Sequence, residues 1–122
     1  MRLSELSTDA AASVLVSITP AISNILKDPN FRENIGKKVD LADRSVLGIY
    51  AAGLDKINEI IPFLLKDHKD DVYEVIAVLN QTTASDVAGQ NILVTMTQIR
   101  EIVKDKELVD FFKSWAETEQ TA

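Results

Sequence analysis

Apolar side chains recur three and four positions apart through most of this chain, and this spacing constrains its fold more than any other feature. The first such stretch comprises Ala11, Leu15, Ile18, Ile22 and Ile25. The clearest one comprises Leu47, Tyr50, Leu54, Ile57, Ile61 and Leu64. Residues with this spacing lie on one face of an α-helix. The spacing therefore predicts a protein built from amphipathic helices.

The composition favours the same class of fold. The 122 residues include only four Gly and three Pro, too few for the many turns of a sandwich or barrel of short strands. Two separate cores in a chain of this length would each approach the lower size limit for autonomous folding. We therefore expect an all-α fold, a single compact domain over residues 1–122 with about five to seven amphipathic helices. Approximately residues 117–122 are expected to form a frayed polar tail.

Two of the predicted helices contain a proline, which removes one backbone hydrogen bond and clashes with the preceding turn. Pro20 predicts either a kink in the first helix or two short helices. The long helix that carries Leu47 to Leu64 is expected to start at Asp40 or Asp43 and to bend near Pro62. Other helix starts are predicted where a hydroxyl or carboxylate can accept hydrogen bonds from first-turn amides: residues 7–9, Asp70 or Asp71, residues 82–85, and Asp105.

The stretch from Ile92 to Thr97 is ambiguous, because its β-branched residues are typical of a strand. Ile92, Met96, Ile99 and Val103 nevertheless have helical spacing. We interpret the stretch as a helix.

The sequence contains no motif typical of a catalytic site. There is no cysteine, so disulfides and thiolate sites are excluded. The only histidine, His68, lies in a charged connection and is expected at the surface. Asp67, Asp70 and Asp71 lack the ligand spacing and the glycine of a calcium loop. We predict a non-enzymatic protein with no cofactor, no metal and no catalytic residue.

Charge and hydropathy bear on partners and location. The net charge of −6 argues against nucleic acid, which requires a concentrated basic face. Residues 85–103 also fit a helix-turn-helix with Thr95, Thr97, Gln98 and Arg100 outward, an alternative that the acidic surroundings disfavour. The N-terminus is not typical of a secretory signal, and no apolar run reaches the ~18 residues of a membrane span. We expect a cytoplasmic protein.

The last predicted helix has a single apolar face formed by Leu108, Phe111, Phe112 and Trp115. Two interpretations stay open: aromatic anchors for a partner, or packing of this helix on the core, which we favour. As a hypothesis, the last two helices supply a partner-binding surface. Its residues would be Ile92, Met96, Leu108, Phe111, Phe112 and Trp115.

Three stretches carry a resemblance to a known family. The first is residues 3–9 together with Ile18-Thr19-Pro20, and the second is residues 71–80. The third is the closing run from residues 90–93 through residues 99–102 to Phe111-Phe112. With these, the chain resembles the tail assembly chaperones of long-tailed phages and prophages of Gram-positive bacteria. The resemblance implies a small helical protein that binds the tape measure protein, keeps it soluble, and helps tail tube subunits assemble around it in the bacterial host cytoplasm. It also implies that a longer form made by translational frameshift accompanies the short one.

The alternative is a non-enzymatic helical adaptor or regulatory subunit that binds another protein. Under either interpretation we expect a protein partner. For a tail assembly chaperone, the expected partners are the tape measure protein and the tail tube protein. A homo-oligomer stays open under both.

Overall fold

The computed structural model describes residues 5–38 and 45–121. Within these ranges the chain forms eight α-helices and no β-strand, so the predicted all-α, single compact domain is confirmed, with one helix more than the upper number expected. The helices are α1 (Thr8–Leu26), α2 (Pro29–Lys38), α3 (Val46–Asp55), α4 (Ile57–Asp67), α5 (Lys69–Leu79), α6 (Ala84–Gly89), α7 (Ile92–Lys104) and α8 (Lys106–Thr121). Helix α8 extends to Thr121, into the segment 117–122 that was expected to form a frayed tail.

Three helix starts have side-chain caps that the sequence predicts. The predicted cap of α5 at Asp70 or Asp71 is wrong, because α5 starts at Lys69, and His68 before it makes no side-chain cap hydrogen bond. The side chains of Ser7 and Thr83 accept hydrogen bonds from first-turn amides of α1 and α6, and Asp105 does so for α8. For α3 the cap is Ser45, which accepts from the Gly48 amide at 3.1 Å. The predicted caps Asp40 and Asp43 lie outside the described residues. Each of these bonds satisfies an amide that has no partner within its helix.

Helix α1 is continuous across Pro20, so the alternative of two short helices is wrong. Proline leaves the carbonyl four residues earlier, that of Val16, without its helical donor. Val16 and Pro20 both lie on the exposed side of α1, where water can bind that carbonyl. The solvated position explains how the helix tolerates the proline.

The predicted long helix is split at Lys56 into α3 and α4, so that prediction is wrong. The two halves pack on different neighbours, α3 mainly against α8, and α4 against α5 and α2. The split also changes which residues are buried. Ile49, Ala52 and Ile60 enter the core, whereas most of the predicted stripe is only half-buried.

The core has two clusters that meet at α1 and α5. The larger one joins α1–α7 and includes Ile25, Phe31, Ile49, Ile76 and Ile99. The smaller one joins α1, α5 and α8 through Ile18, Ala21, Val75, Leu79, Leu108 and Phe112. Helix α8 is therefore held to the domain by the apolar face that the sequence predicts for it.

Helix α5 ends in a tight hydrogen-bonded turn. The Thr82 amide donates to the Ala77 carbonyl at 2.9 Å, and the Gln81 amide donates to the Val78 carbonyl at 3.4 Å. Gln81 has a φ of 55°, in the left-handed region. This pattern satisfies the last carbonyls of the helix and reverses the chain toward α6.

Among the described residues, α1 is long and apolar enough to cross a membrane by length and composition alone, with a mean hydropathy of 1.4. No stretch of this length and hydropathy was expected from the sequence. A buried core helix and a signal sequence near the N-terminus meet the same criterion. In this structure Ile18, Ala21, Ile25 and Leu26 of α1 pack in the two core clusters.

Neighbouring phenylalanines allow a direct test of how α8 is held. Phe112 is 2% exposed and Phe111 is 38% exposed. We expect Phe112→Ala to lower the free energy of unfolding by about 3–5 kcal/mol, because it removes a buried ring and leaves a cavity. Phe111→Ala should cost about 1 kcal/mol, the value of its contact with the Phe112 ring. Urea unfolding followed by circular dichroism measures both, and equal losses would contradict this assignment of core and surface.

Candidate protein-binding surface

The first turn of α7 exposes three consecutive aliphatic side chains. Ile92, Leu93 and Val94 are 54%, 68% and 47% exposed, and we call them the α7 apolar turn. Asn91 starts the helix by accepting a hydrogen bond from the Leu93 amide at 2.8 Å. The helical interpretation of this stretch is thus confirmed.

The position of this turn explains its exposure. Successive residues of an α-helix point about 100° apart, so three in a row cannot all face one core. Further along the helix, Thr95 and Ile99 are the residues that α7 buries. Contiguous exposed apolar side chains are typical of surfaces that bind another protein or a membrane.

The six residues predicted to bind a partner do not form one surface. Ile92 and Phe111 are exposed, while Met96 and Trp115 are half-buried. Leu108 and Phe112 are buried in the smaller core cluster. In this structure these two residues pack on the core, as the favoured interpretation held, and partner binding by the six residues stays a prediction.

The aromatic side chains of α8 form a chain of edge-to-face contacts. The ring centroids of Phe111 and Phe112 are 4.9 Å apart, and those of Phe112 and Trp115 are 6.3 Å apart. The ammonium group of Lys27 lies 5.5 Å from the Trp115 ring centroid, a favourable cation–π contact. These contacts connect the end of α1 to α8.

Sequence reasoning missed Leu93 and Val94 as surface residues. Their signal was present in the unbroken run Ile92-Leu93-Val94, which contains more apolar positions than one helical face can bury. It also missed Val16 on α1, which is 74% exposed.

The helix-turn-helix alternative required Thr95, Thr97, Gln98 and Arg100 to face outward, and of these four only Thr97 is exposed. Thr95 is buried, and its hydroxyl accepts a hydrogen bond from the Gln90 side chain at 3.0 Å. The same Gln90 amide group donates to the Gln98 side chain, and Arg100 donates to Asn58 at 2.9 Å. Three of the four residues are thus hydrogen-bonded to other side chains of the protein.

An apolar cleft of about 140 Å³ lies between α1, α3, α4, α5 and α7. Its floor is buried and its rim is half-buried. The floor consists of Ile25, Leu26, Ile49, Val72, Val75, Ile76 and Ile99, and the rim of Ile22, Tyr50, Gly53, Leu54, Ile57, Leu64, Ile102 and Val103.

His68 is not the surface histidine that the sequence predicts. Its side chain is 10% exposed, with Nε2 2.8 Å from an Asp28 carboxylate oxygen and Nδ1 3.0 Å from one of Asp71. Its ring meets the buried Phe31 ring edge to face, with centroids 5.3 Å apart. We call Asp28, His68 and Asp71 the His68 cluster, which joins the start of α2 to the start of α5.

The His68 cluster favours charged side chains. Burial by itself lowers the pKa of His68, but hydrogen bonds to Asp71 and Asp28 outweigh burial and raise this pKa above 6.5. For Asp28, burial by itself raises the pKa, but hydrogen bonds from His68 and from the amides of Phe31 and Asn30 hold it below 3.8. Both ring nitrogens donate to carboxylates when the imidazole is protonated. The cluster is therefore suited to holding the starts of α2 and α5 together.

The stability of the protein should depend on pH through this cluster. Because the folded-state pKa of His68 is raised, its stabilisation is complete below pH 6.5 and is lost as the pH rises through the folded-state value. The contribution of Asp28, whose pKa is lowered, is present above pH 3.8 and is lost as the pH falls. We expect the free energy of unfolding, measured in urea, to decrease from pH 6 toward pH 8.

The substitution His68→Gln should remove most of this decrease, and Asp28→Asn should reduce it. Exposed Asp67 provides the control, since Asp67→Asn removes a neighbouring carboxylate outside the cluster. An unchanged pH dependence in His68→Gln would show that other groups cause it.

Within the described ranges, no group of three His, Asp or Glu side chains could hold a metal ion. Comparison with protein-family models, curated proteins and solved structures gives no match for this chain.

Proposed function

We propose that this protein is a tail assembly chaperone of a long-tailed phage or prophage of a Gram-positive bacterium. It would bind the tape measure protein in the host cytoplasm, keep it soluble and assist assembly of the tail tube. The observation that carries the proposal is the α7 apolar turn. Ile92 and Leu93 of this turn lie in one of the stretches that resemble the family.

The α7 apolar turn suits binding to an apolar helix face. Each of its three side chains exposes about half of its surface or more. One partner face can cover two neighbouring side chains of the turn, since Ile92 and Val94 point about 200° apart. Covering two of them contributes about 2 kcal/mol, which changes a dissociation constant roughly 30-fold.

The charge of the chain supports the same role. The net charge of −6 makes like-charged complexes repel one another, which opposes aggregation of a bound apolar partner. A protein that keeps a long apolar helix soluble needs a charged surface and a small apolar surface that contacts the helix.

The mechanism needs no catalysis, only competing equilibria. Before the tube forms, a tape measure helix exposes apolar stripes that promote aggregation. A protein that binds those stripes stabilises the soluble state by mass action. Release follows when tube subunits compete for the same stripes and occupy them permanently.

Co-expression with the tape measure protein from the same genome tests this proposal. We expect the tape measure protein to be soluble and to co-elute only when this chain is present. Leu93→Asp should reduce the soluble fraction severalfold, because it places a charge in the apolar contact. Val16→Asp provides the matched control, since Val16 is equally aliphatic, more exposed, and located on α1.

A tape measure protein that precipitates regardless of this chain would overturn the proposal for the short form and leave the adaptor interpretation. Equal effects of Leu93→Asp and Val16→Asp would overturn the assignment of the α7 apolar turn. Circular dichroism of both variants establishes that they remain folded.

A further inference from the structure

We propose that the apolar cleft is a binding site for a small, uncharged apolar ligand, of the size of one six-membered ring or a branched aliphatic group. The cleft does not include Ile92, Leu93 or Val94. The inference is therefore independent of the chaperone proposal.

The lining of the cleft determines the chemical class of the ligand. Among the described residues that line it, Tyr50 alone has a polar side chain. The Tyr50 hydroxyl donates to the Val109 carbonyl at 3.2 Å, and burial, with the nearby Asp110 carboxylate, raises the pKa of this hydroxyl above its ordinary value. A polar group on a ligand would lose its water and gain no free partner. The cleft therefore selects against polar and charged molecules.

The volume of the cleft determines the size of the ligand. An enclosed apolar cavity of about 150 Å³ accommodates one benzene molecule. The cleft has about the same volume, 140 Å³, and opens to solvent at its half-buried rim. An apolar ligand of this size would cover apolar side chains that offer water no hydrogen bond.

The rim provides access to this space. Gly53 and Leu54 at the end of α3, Ile57 at the start of α4, and Val103 in α7 are only half-buried. The split between α3 and α4 at Lys56 lies beside this rim. A ligand can enter between these helix ends while the buried floor of the cleft stays in place.

Tight packing does not require a glycine at position 53. A Cβ atom at Gly53 would meet no heavy atom within 4 Å. Alanine would fit there and would favour the helix more than glycine does. Gly53 lines the cleft and adds no side chain to it.

Titration of the full-length chain with benzene, followed by the NMR signals of its methyl groups, tests the proposal. We expect saturable shifts confined to methyl groups of the cleft, such as those of Ile49, Ile76 and Ile99. Phenol should bind at least tenfold more weakly, because the cleft offers its hydroxyl no free partner. Benzene should also raise the melting temperature, since it binds only the folded state.

Two leucine substitutions locate the site. Gly53→Leu should weaken benzene binding at least tenfold by filling the cleft. Gly89→Leu is the matched control, since a Cβ there also meets no atom within 4 Å, and Gly89 lies in α6, outside the cleft. If Gly53→Leu does not fold, Gly53→Ala should bind benzene detectably more weakly than the wild type.

Absence of saturable benzene binding in the wild-type chain would overturn the proposal. Equal binding by the wild type, the Gly53 variant and the Gly89 variant would overturn the location of the site. Equal affinities for phenol and benzene would overturn the proposed class of ligand.

Discussion

The packing of α5 against α1 holds this domain together. Five of the 11 residues of α5 are buried. Val72, Ile76 and Ala77 belong to the larger core cluster, and Val75 and Leu79 belong to the smaller one. Because α5 contributes to both clusters, neither can form fully without it. Helices α4 and α6 also pack on α5, and α8 reaches it through the smaller cluster.

Polar contacts at both ends of α5 fix its position. At its start, the His68 cluster joins it to the turn before α2, and Asn24 of α1 donates to Asp71 at 3.3 Å. At its end, the turn through Gln81 directs the chain into α6. Apolar packing therefore supplies most of the attraction between helices, while these hydrogen bonds determine how α5 is oriented.

The sequence predicts this fold wherever the information is local. The caps at Ser7, Thr83 and Asp105 and the single apolar face of α8 depend on residues within one or two turns, and the structure confirms them. The split at Lys56 was missed because helical spacing continues across it, and only the different neighbours of α3 and α4 reveal the break. The setting of His68 was missed because Asp28 lies 40 positions away. The sequence predicts Ile92 as a surface residue. It does not predict Leu93 and Val94, because they lie outside the helical stripe to which Ile92 and Met96 belong.

The contact between Lys27 and Trp115 gives the molecule an internal optical probe. Trp115 is the only tryptophan in the chain, and its half-buried ring contacts both core clusters and lies beneath an ammonium group of α1. Indole emission depends on the polarity and charge around the ring. Any event that separates α8 from the end of α1, whether thermal, mutational or caused by a partner, would thus change the fluorescence of the unlabelled protein.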